Sequence, residues 1–154
     1  DLQNFSISTW VQVLPPVDTN QATSTYKVLC KDAPGGYSNY TLYFRKQLDA
    51  VALYMEDGLG KAQNLRAFME VNPNRYYHVV ATFSGGWNEL YVNRRLLVEA
   101  VAEIAPVTNS LPLHIGAFTN TASEIAFHGS IDSLRIYNRA LTPEEVEALY
   151  FIKE

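Results

Sequence analysis

The stretch AFHGSIDSLRIYNRALTPEEVEALYFIK, residues 126–153, decides the fold of this chain. From Gly129 to Tyr137 the residues alternate with the period of a β-strand. Ile131, Ser133, Arg135 and Tyr137 are predicted on one face, and Asp132, Leu134 and Ile136 on the other. Thr142 then suits a helix N-cap and Pro143 the first helical position, and Glu145, three residues after the cap, completes a capping box. The stretch therefore predicts a strand, a tight turn and a capped terminal helix.

Upstream of this stretch, short alternating runs are separated by turn residues, which is the pattern of an antiparallel sandwich. The predicted strands are residues 5–13, 26–31, 40–46, 50–56, 63–70, 77–84, 89–93, 95–101, 112–117 and 127–137. No repeat or linker divides the chain, so we predict one all-β domain over residues 1–154, a two-sheet antiparallel β-sandwich with a short C-terminal helix. The polar loop from Leu14 to Thr25 is long for this class and is a candidate either for function or for simple connection.

Composition excludes several partners. The net charge is -4 and the basic residues are scattered, so the sequence predicts neither nucleic-acid binding nor attraction to an anionic membrane. Residues 1–154 show no signal-peptide pattern, and they contain no apolar run that is long enough to predict insertion in a bilayer. Cys30 is the only cysteine, and its strand-like surroundings predict a buried free thiol.

The C-terminal stretch resembles the closing motif of laminin-G-like domains of the concanavalin A-like lectin/glucanase superfamily, in particular the bacterial type. The matching residues are Gly129, Ile131, Asp132, Arg135, Ile136, Tyr137, Asn138, Arg139, Ala140, Leu141, Glu145 and Val146. Residues 5–11, 77–83, 90–93 and 114–117 continue the likeness, which covers essentially the whole chain. The resemblance implies a concanavalin A-like jelly roll, with an extracellular or cell-surface location as part of a larger multidomain protein.

The chain departs from the family pattern at three places. Arg94 stands where the family usually has a glycine, which predicts a non-standard turn. Tyr76 or Tyr77 replaces the usual tryptophan. The chain also begins almost at once on a strand where family members carry another strand first, which predicts a domain trimmed of its first strand.

The predicted strands between residues 40 and 68 have two different faces. One face is apolar and predicted to be core, with Tyr40, Leu42, Phe44, Val51, Leu53, Met55, Ala67 and Met69. If the strands pair in sequence order, Tyr43, Arg45, Tyr54 and Arg66 meet on the other, exposed face. Aromatic rings stack on sugars while guanidinium groups bind hydroxyls or carboxylates, so this face is a predicted glycan platform. The alternative is an ordinary solvated sheet face.

Three further residues are predicted ligand contacts. Trp87 follows Gly85-Gly86 at a predicted hairpin tip, where an exposed ring meets either a ligand or a neighbouring loop. Tyr37 and Asn39 flank a glycine-rich loop and are predicted to line a rim, with turn formation as the alternative. Trp10 lies within a predicted strand, and we interpret it as structural.

Asp132 is the predicted metal ligand. In the related glucanases the aspartate that opens the corresponding strand contributes to a structural calcium site, and the resemblance carries over this residue alone. Calcium takes six to eight oxygens in proteins, and the others are not identified by the sequence. A capping or Arg-paired aspartate is the alternative reading of the same residue.

The sequence gives little support to catalysis. The Glu-x-Asp-x-x-Glu strand of the related glucanases is absent, and no nucleophile elbow or phosphate loop occurs. His78, His114 and His128 lie in separate predicted strands without metal-ligand spacing. We therefore predict a non-catalytic extracellular recognition module that binds carbohydrate, with a structural calcium ion. The alternative is a protein-interaction, adhesion or structural domain of a larger protein, with a hydrolase as a distant third.

Overall fold

The computed structural model describes residues 4–14, 25–32, 38–45, 47–119 and 124–152. These ranges form β1 (Phe5–Val13), β2 (Thr25–Asp32), β3 (Ser38–Arg45), β4 (Ala50–Glu56), β5 (Ala62–Phe68), β6 (Tyr77–Ser84), β7 (Trp87–Val92), β8 (Arg95–Val101), β9 (His114–Ile115), β10 (Ala117–Thr119), β11 (Glu124–Ala126), β12 (Gly129–Tyr137) and α1 (Pro143–Phe151). Sheet I has the order β12-β1-β6-β7-β8, and sheet II has the order β5-β4-β3-β2-β9. Both sheets are antiparallel, which confirms the predicted two-sheet sandwich with a short C-terminal helix.

The core lies between the two sheets, where alternate side chains of each strand meet. Phe5 of sheet I stacks on Phe83 at a centroid distance of 5.5 Å and contacts Tyr40 of sheet II at 4.9 Å. The apolar face predicted for residues 40–69 lies in this core, with Met69 partly buried at its margin. Burying each large apolar side chain here contributes about 1.5–3 kcal/mol, so the core is the main source of stability.

The alternation predicted for the C-terminal strand is wrong in its middle. The pairing of β12 with β1 shifts register between Ser8 and Trp10, and Ser133 has a φ of 50°. This bulge adds one residue to β12, so Ile131 and Leu134 both pack against the core although they are three residues apart. Asp132 is exposed and does not share the core face with Leu134.

Two glycines explain features of the same region. Gly129 has a φ of 148°, and a Cβ there would lie 2.0 Å from the carbonyl oxygen of Gln12. Only glycine therefore lets β12 begin against β1. Gly116, with a φ of 65°, divides the strand predicted over 112–117 into β9 and β10, and β11 was not predicted at all.

The terminal helix begins as predicted. Thr142 accepts a hydrogen bond from the Glu145 amide, and the Glu145 carboxylate accepts one from the Thr142 amide at 2.9 Å. Arg139 donates two hydrogen bonds of 2.6 Å to the same carboxylate. Val146 and Leu149 pack in a second apolar cluster with Val80, Tyr91 and Leu141, so α1 covers part of the outer face of sheet I.

The turn between β7 and β8 is a regular two-residue hairpin turn, so the prediction of a non-standard turn at Arg94 is wrong. Asn93 and Arg94 both have positive φ, at 48° and 65°, which is the requirement of a type I′ hairpin turn. The Arg94 guanidinium lies over the rings of Tyr150 and Phe151 at 5.5 and 5.3 Å. In place of the flexibility of glycine, the residue supplies a cation–π contact that ties the hairpin to the end of α1. No helix in the described ranges is long and apolar enough to cross a membrane.

Candidate functional site

The outer face of sheet II brings the four residues of the predicted glycan platform onto one surface. Tyr43 pairs with Ala52, which in turn pairs with Arg66, so these residues form one row across β3, β4 and β5. In the next row Tyr54 lies between Thr41 and Asn64. Strands β2 to β5 pair in sequence order, so the expected meander is confirmed.

A cavity of about 250 Å³ opens on this face. Its lining residues are Thr25, Lys27, Ser38, Thr41, Tyr43, Tyr54 and Asn64, from β2, β3, β4 and β5. Two of the four platform residues, Tyr43 and Tyr54, therefore line the cavity, whereas Arg45 and Arg66 lie outside its lining. Ligand pockets for drug-sized molecules range from roughly 300 to 1,000 Å³, so this cavity suits a ligand about the size of one or two sugar rings.

A buried carboxylate fixes one side of the cavity. Asp32 is 5% exposed, and its Oδ1 accepts a hydrogen bond of 2.8 Å from the Thr41 hydroxyl. Its Oδ2 pairs with Lys27 Nζ at 2.5 Å. Both carboxylate oxygens are thus engaged, which offsets the cost of burying the charge and holds Thr41 and Lys27 in fixed positions.

A second carboxylate, Glu56, holds another residue of the lining. Tyr54 donates its hydroxyl proton to Glu56 Oε1, and Glu56 Oε2 accepts a hydrogen bond of 2.7 Å from the backbone amide of Ser38. Burial, together with this bond to Glu56, raises the pKa of Tyr54 to about 12. Tyr54 therefore keeps its proton at neutral pH and is held in one orientation.

The two tyrosines contribute differently. Tyr43 is 7% exposed, and its hydroxyl lies 3.2 Å from Oδ1 and 2.8 Å from Nδ2 of the Asn64 amide. Tyr43 therefore presents its hydroxyl edge and not a ring face. Tyr54 is only half-buried, so it is the tyrosine with ring surface left for stacking on a sugar.

The two arginines of the platform also differ. Arg45 pairs with Asp49 at 3.1 Å. Arg66 is exposed and has no ion pair or hydrogen bond within the described part of the chain. Arg66 is therefore the platform cation whose donors are available to an approaching group.

The predicted rim residues are not brought together. Asn39 lies in β3 and is fully buried, so its side chain does not reach the surface, contrary to the expectation of a rim. The residue is buried because the strand begins at Ser38 and not at Tyr40, which places Asn39 inside the sheet. Tyr37 and most of the loop from Leu14 to Thr25 lie outside the described residues.

Trp87 lies on the other sheet. It opens β7 directly after the Gly85-Gly86 turn, is 50% exposed, and pairs with the exposed Val101 of β8. Because β7 belongs to sheet I, Trp87 does not join the cavity. Trp10 contacts His78 and Tyr150 at centroid distances of 5.2 Å each, which agrees with its interpretation as structural.

Asp132 does not lie in a cluster of ligands. Its Oδ1 accepts a hydrogen bond of 3.3 Å from Ser133, and its backbone oxygen accepts one of 3.0 Å from Thr9. In the described ranges no three His, Cys, Asp or Glu side chains are grouped so that they could hold a metal ion. These residues do not supply the oxygens that calcium needs, and calcium at Asp132 stays a prediction.

Cys30 is fully buried, as predicted. Burial and the neighbouring Asp32 carboxylate raise the pKa of its thiol to about 12. The thiol is therefore unreactive in the folded domain.

Sequence reasoning missed part of the cavity. Lys27 and Asn64 occupy outward positions of predicted strands, and extending the two-face pattern to residues 26–31 and 63–70 would have found them. Asp32 could not be found in this way, because a register shift between Lys27 and Leu29 adds one residue to β2 and places Asp32 on the same face as Lys27. A bulge of this kind leaves no clear signal in the sequence.

Comparison with known proteins is consistent with this architecture. A laminin G family model, described as Concanavalin A-like lectin/glucanases superfamily, matches residues 1–147. No match was found among curated protein sequences.

Several solved structures share the fold at low sequence identity. The chain is similar to the CBM40 domain of a Ruminococcus gnavus IT-sialidase bound to α2,3 sialyllactose, with a TM-score of 0.77 and 15% identity, covering 97% of this chain and 83% of that one. It is similar to a SAP-like pentraxin from Limulus polyphemus, with a TM-score of 0.70 and 12% identity over 97% and 70% of the two chains. It is also similar to the binding domain of Paraclostridial Mosquitocidal Protein 1, with a TM-score of 0.71 and 20% identity, covering 96% of this chain and 37% of that one. Identities this low show the fold alone.

Proposed function

Because this chain belongs to the laminin-G-like proteins of the concanavalin A-like lectin/glucanase superfamily, we propose that it is a non-catalytic carbohydrate-binding domain. The observation that carries the proposal is the cavity of about 250 Å³ on the outer face of sheet II. The superfamily includes both lectins and glucanases, so the chemistry of this cavity, not the fold, decides between binding and hydrolysis.

The lining of the cavity suits a sugar. It combines hydroxyl groups of Thr41, Tyr43 and Tyr54 with the amide of Asn64 and the ammonium of Lys27. Sugars offer alternating hydroxyl groups and apolar C–H faces, which match this mixture of polar groups and one half-exposed tyrosine ring. The side chains are held by Asp32, Glu56 and one another, so little conformational entropy is lost when a ligand binds.

The carboxylates near the cavity support binding without hydrolysis. Glycoside hydrolysis needs one carboxylic acid and one free carboxylate on either side of the scissile bond. The oxygens of Asp32 and Glu56 are occupied by Thr41, Lys27, Tyr54 and the Ser38 amide. Both groups therefore act as supports for the binding residues.

The wider setting follows from the same family. We propose an extracellular or cell-surface location within a larger multidomain protein, with a glycan as the partner. The similarity to the Paraclostridial binding-domain structure spans 96% of this chain but only 37% of that one, which agrees with a module that is one part of a longer chain. A structural calcium ion at Asp132 belongs to this proposal only as an addition to be tested.

A protein-interaction domain is the second candidate function. Trp87 and its partner Val101 are 50% and 57% exposed on sheet I, away from the cavity. Exposed apolar pairs of this kind occur in protein interfaces. The two candidates therefore use different sheets, and one experiment can separate them.

That experiment is a glycan-array screen of the domain, with calcium and with chelator. Tyr54→Ala removes the half-exposed ring of the cavity, and Trp87→Ala is the matched aromatic deletion on the other sheet. We expect binding to be lost in Tyr54→Ala and retained in Trp87→Ala, with circular dichroism confirming that both variants are folded. If glycan binding is lost only in Trp87→Ala, the binding site lies at the hairpin that carries Trp87 and not at the cavity. No binding by the wild-type domain in any condition would contradict the carbohydrate proposal and favour protein interaction.

A further inference from the structure

Two hydroxyl groups in the cavity have their protons committed to internal acceptors. Thr41 Oγ1 lies 2.8 Å from Asp32 Oδ1, and the Tyr54 hydroxyl bonds to Glu56 Oε1. Carboxylates are ionised at neutral pH and an ionised carboxylate can only accept, so in each pair the hydroxyl must be the donor. The remaining lone pairs of Thr41 and Tyr54 can then only accept a hydrogen bond from a ligand.

Other features keep this arrangement in place. Glu56 Oε2 is held by the Ser38 amide and Asp32 Oδ2 by Lys27, so neither carboxylate can turn away from its hydroxyl. The raised pKa of Tyr54, about 12, agrees with a hydroxyl that keeps its proton. Tyr43 and Asn64 bond to each other and can both donate and accept, so they do not restrict the ligand.

The charges around the cavity favour a ligand without a negative charge. The ammonium of Lys27 is paired with Asp32, and Glu56 adds a second carboxylate behind Tyr54. Arg45 is paired with Asp49 outside the lining. Arg66 shares the face but does not line the cavity. A carboxylate placed against Thr41 and Tyr54 would meet two oxygens that can only accept, and behind them the charge of Glu56, because Lys27 balances only Asp32. Neither hydroxyl can donate a hydrogen bond to replace the water that the carboxylate loses at this position.

We infer that the cavity selects a neutral sugar whose hydroxyl groups donate to Thr41 and Tyr54, and that it discriminates against sugars carrying a carboxylate at the same position. This inference rests on the proposed carbohydrate-binding function and adds the chemical class of the ligand. The selectivity comes from Asp32 and Glu56, which do not touch the ligand but fix the direction of the hydrogen bonds that it meets.

The test compares sugars that differ in one group. Glucose, galactose and mannose are each titrated into the ¹⁵N-labelled domain beside glucuronate, galacturonate and mannuronate, in which a carboxylate replaces the C6 hydroxymethyl. Amide shifts of Thr41, Tyr54 and Asn64 report the cavity, and the Trp87 amide on sheet I reports binding elsewhere. We expect at least one neutral sugar to shift the cavity amides, and we expect the corresponding uronate to bind with an affinity that is lower by about tenfold or more.

Two variants identify the cause. Glu56→Gln removes one negative charge and gives Tyr54 a partner that can donate, so that the Tyr54 hydroxyl can donate to a ligand. The variant should therefore bind the uronate more tightly, relative to the corresponding neutral sugar, than the wild type does. Glu99→Gln is the matched control, because it removes an exposed carboxylate from β8 of sheet I, and it should leave the neutral-to-uronate ratio unchanged. A ratio unaltered in Glu56→Gln overturns the inference.

The remaining outcomes separate this inference from the proposed function. Equal or tighter uronate binding at the cavity amides overturns the inference and leaves carbohydrate binding in place. If none of the six sugars shifts any of these amides, the proposed function is overturned and the inference with it. Shifts confined to the Trp87 amide place binding on sheet I and overturn both assignments to the cavity.

Discussion

Acid should destabilise this domain through one buried histidine, His78. The side chain is 1% exposed in β6, with Nε2 lying 3.0 Å from the Ser8 hydroxyl and Nδ1 without a hydrogen-bond partner. The rings of Trp10 and Tyr150 lie 5.2 and 6.0 Å from its ring. Burial, with the positive charge of Arg135 adding to it, lowers the pKa of His78 from 6.5 to about 4.

The sign and size of the effect follow from that pKa. In the unfolded chain the imidazole takes up a proton near pH 6.5, whereas in the folded domain it stays neutral down to about pH 4. The stability that His78 contributes is therefore fully present above pH 6.5, falls as the pH falls, and stops falling below about pH 4. Each unit of pKa shift corresponds to about 1.4 kcal/mol, so the loss of unfolding free energy is roughly 3 kcal/mol.

Urea unfolding between pH 7.5 and 4 measures this directly. His78→Gln keeps an amide that can bond Ser8 but removes the titration, and His114→Gln is the matched control for loss of a histidine in β9. Between pH 7.5 and 4 we expect the unfolding free energy of the wild type to fall by roughly 3 kcal/mol more than that of His78→Gln. If the two proteins instead keep parallel pH profiles, the buried neutral state of His78 is refuted.

Three other predictions concern the helix cap, the sandwich edge and the metal. The hydrogen bonds from Arg139, followed by the one from the Thr142 amide, lower the pKa of Glu145 to about 2. The stabilisation of α1 by Glu145 is therefore present above about pH 4.5 and is lost towards pH 2. A circular dichroism titration of the helix signal should show this loss in wild type and not in Glu145→Gln, and identical titrations of the two proteins would contradict the prediction. Gln63 joins the sheets by bonding Val101 O at 2.7 Å, the buried Asn88 amide at 2.9 Å and the Glu103 amide at 3.1 Å, so Gln63→Met should cost about 2 kcal/mol in urea unfolding. Gln12→Met, which loses one bond to Pro73, is its control, and equal losses in the two variants would count against the bridge. If Asp132 binds calcium, the melting temperature should rise with calcium, fall with chelator, and lose this response in Asp132→Asn; a wild-type melt that ignores chelator would exclude the site.

Much of the fold could be predicted because the local signals agreed with one another. The capping box at Thr142, the turn glycines and the two-face pattern of residues 40–69 each predicted an element that the structure contains. The failures lie where backbone geometry departs from a simple period. The bulge at Ser133 moved Asp132 off the core face, and Gly116 divided a predicted strand, because a single residue in an unusual conformation changes the face of everything beyond it.

The candidate site was predictable only in part for a related reason. Tyr43 and Tyr54 were found because outward positions of neighbouring strands must share a face once the strands pair in order. Whether such residues line a cavity, bury a ring or pair with a carboxylate depends on side chains from other strands, which no periodicity encodes. Arg45 and Arg66 had the same sequence signature, yet one is paired with Asp49 and the other has no partner in the described ranges.

The supports behind the cavity illustrate why a shared fold leaves ligand choice open. Asp32 stands at the end of β2 and Glu56 at the end of β4, where neither contributes to the core. Replacing Glu56 with glutamine would leave the core side chains unchanged and would free the Tyr54 hydroxyl proton to point into the cavity. The selectivity that we propose therefore depends on outward positions such as Glu56, and the comparison of Glu56→Gln with wild type tests that dependence without disturbing the core.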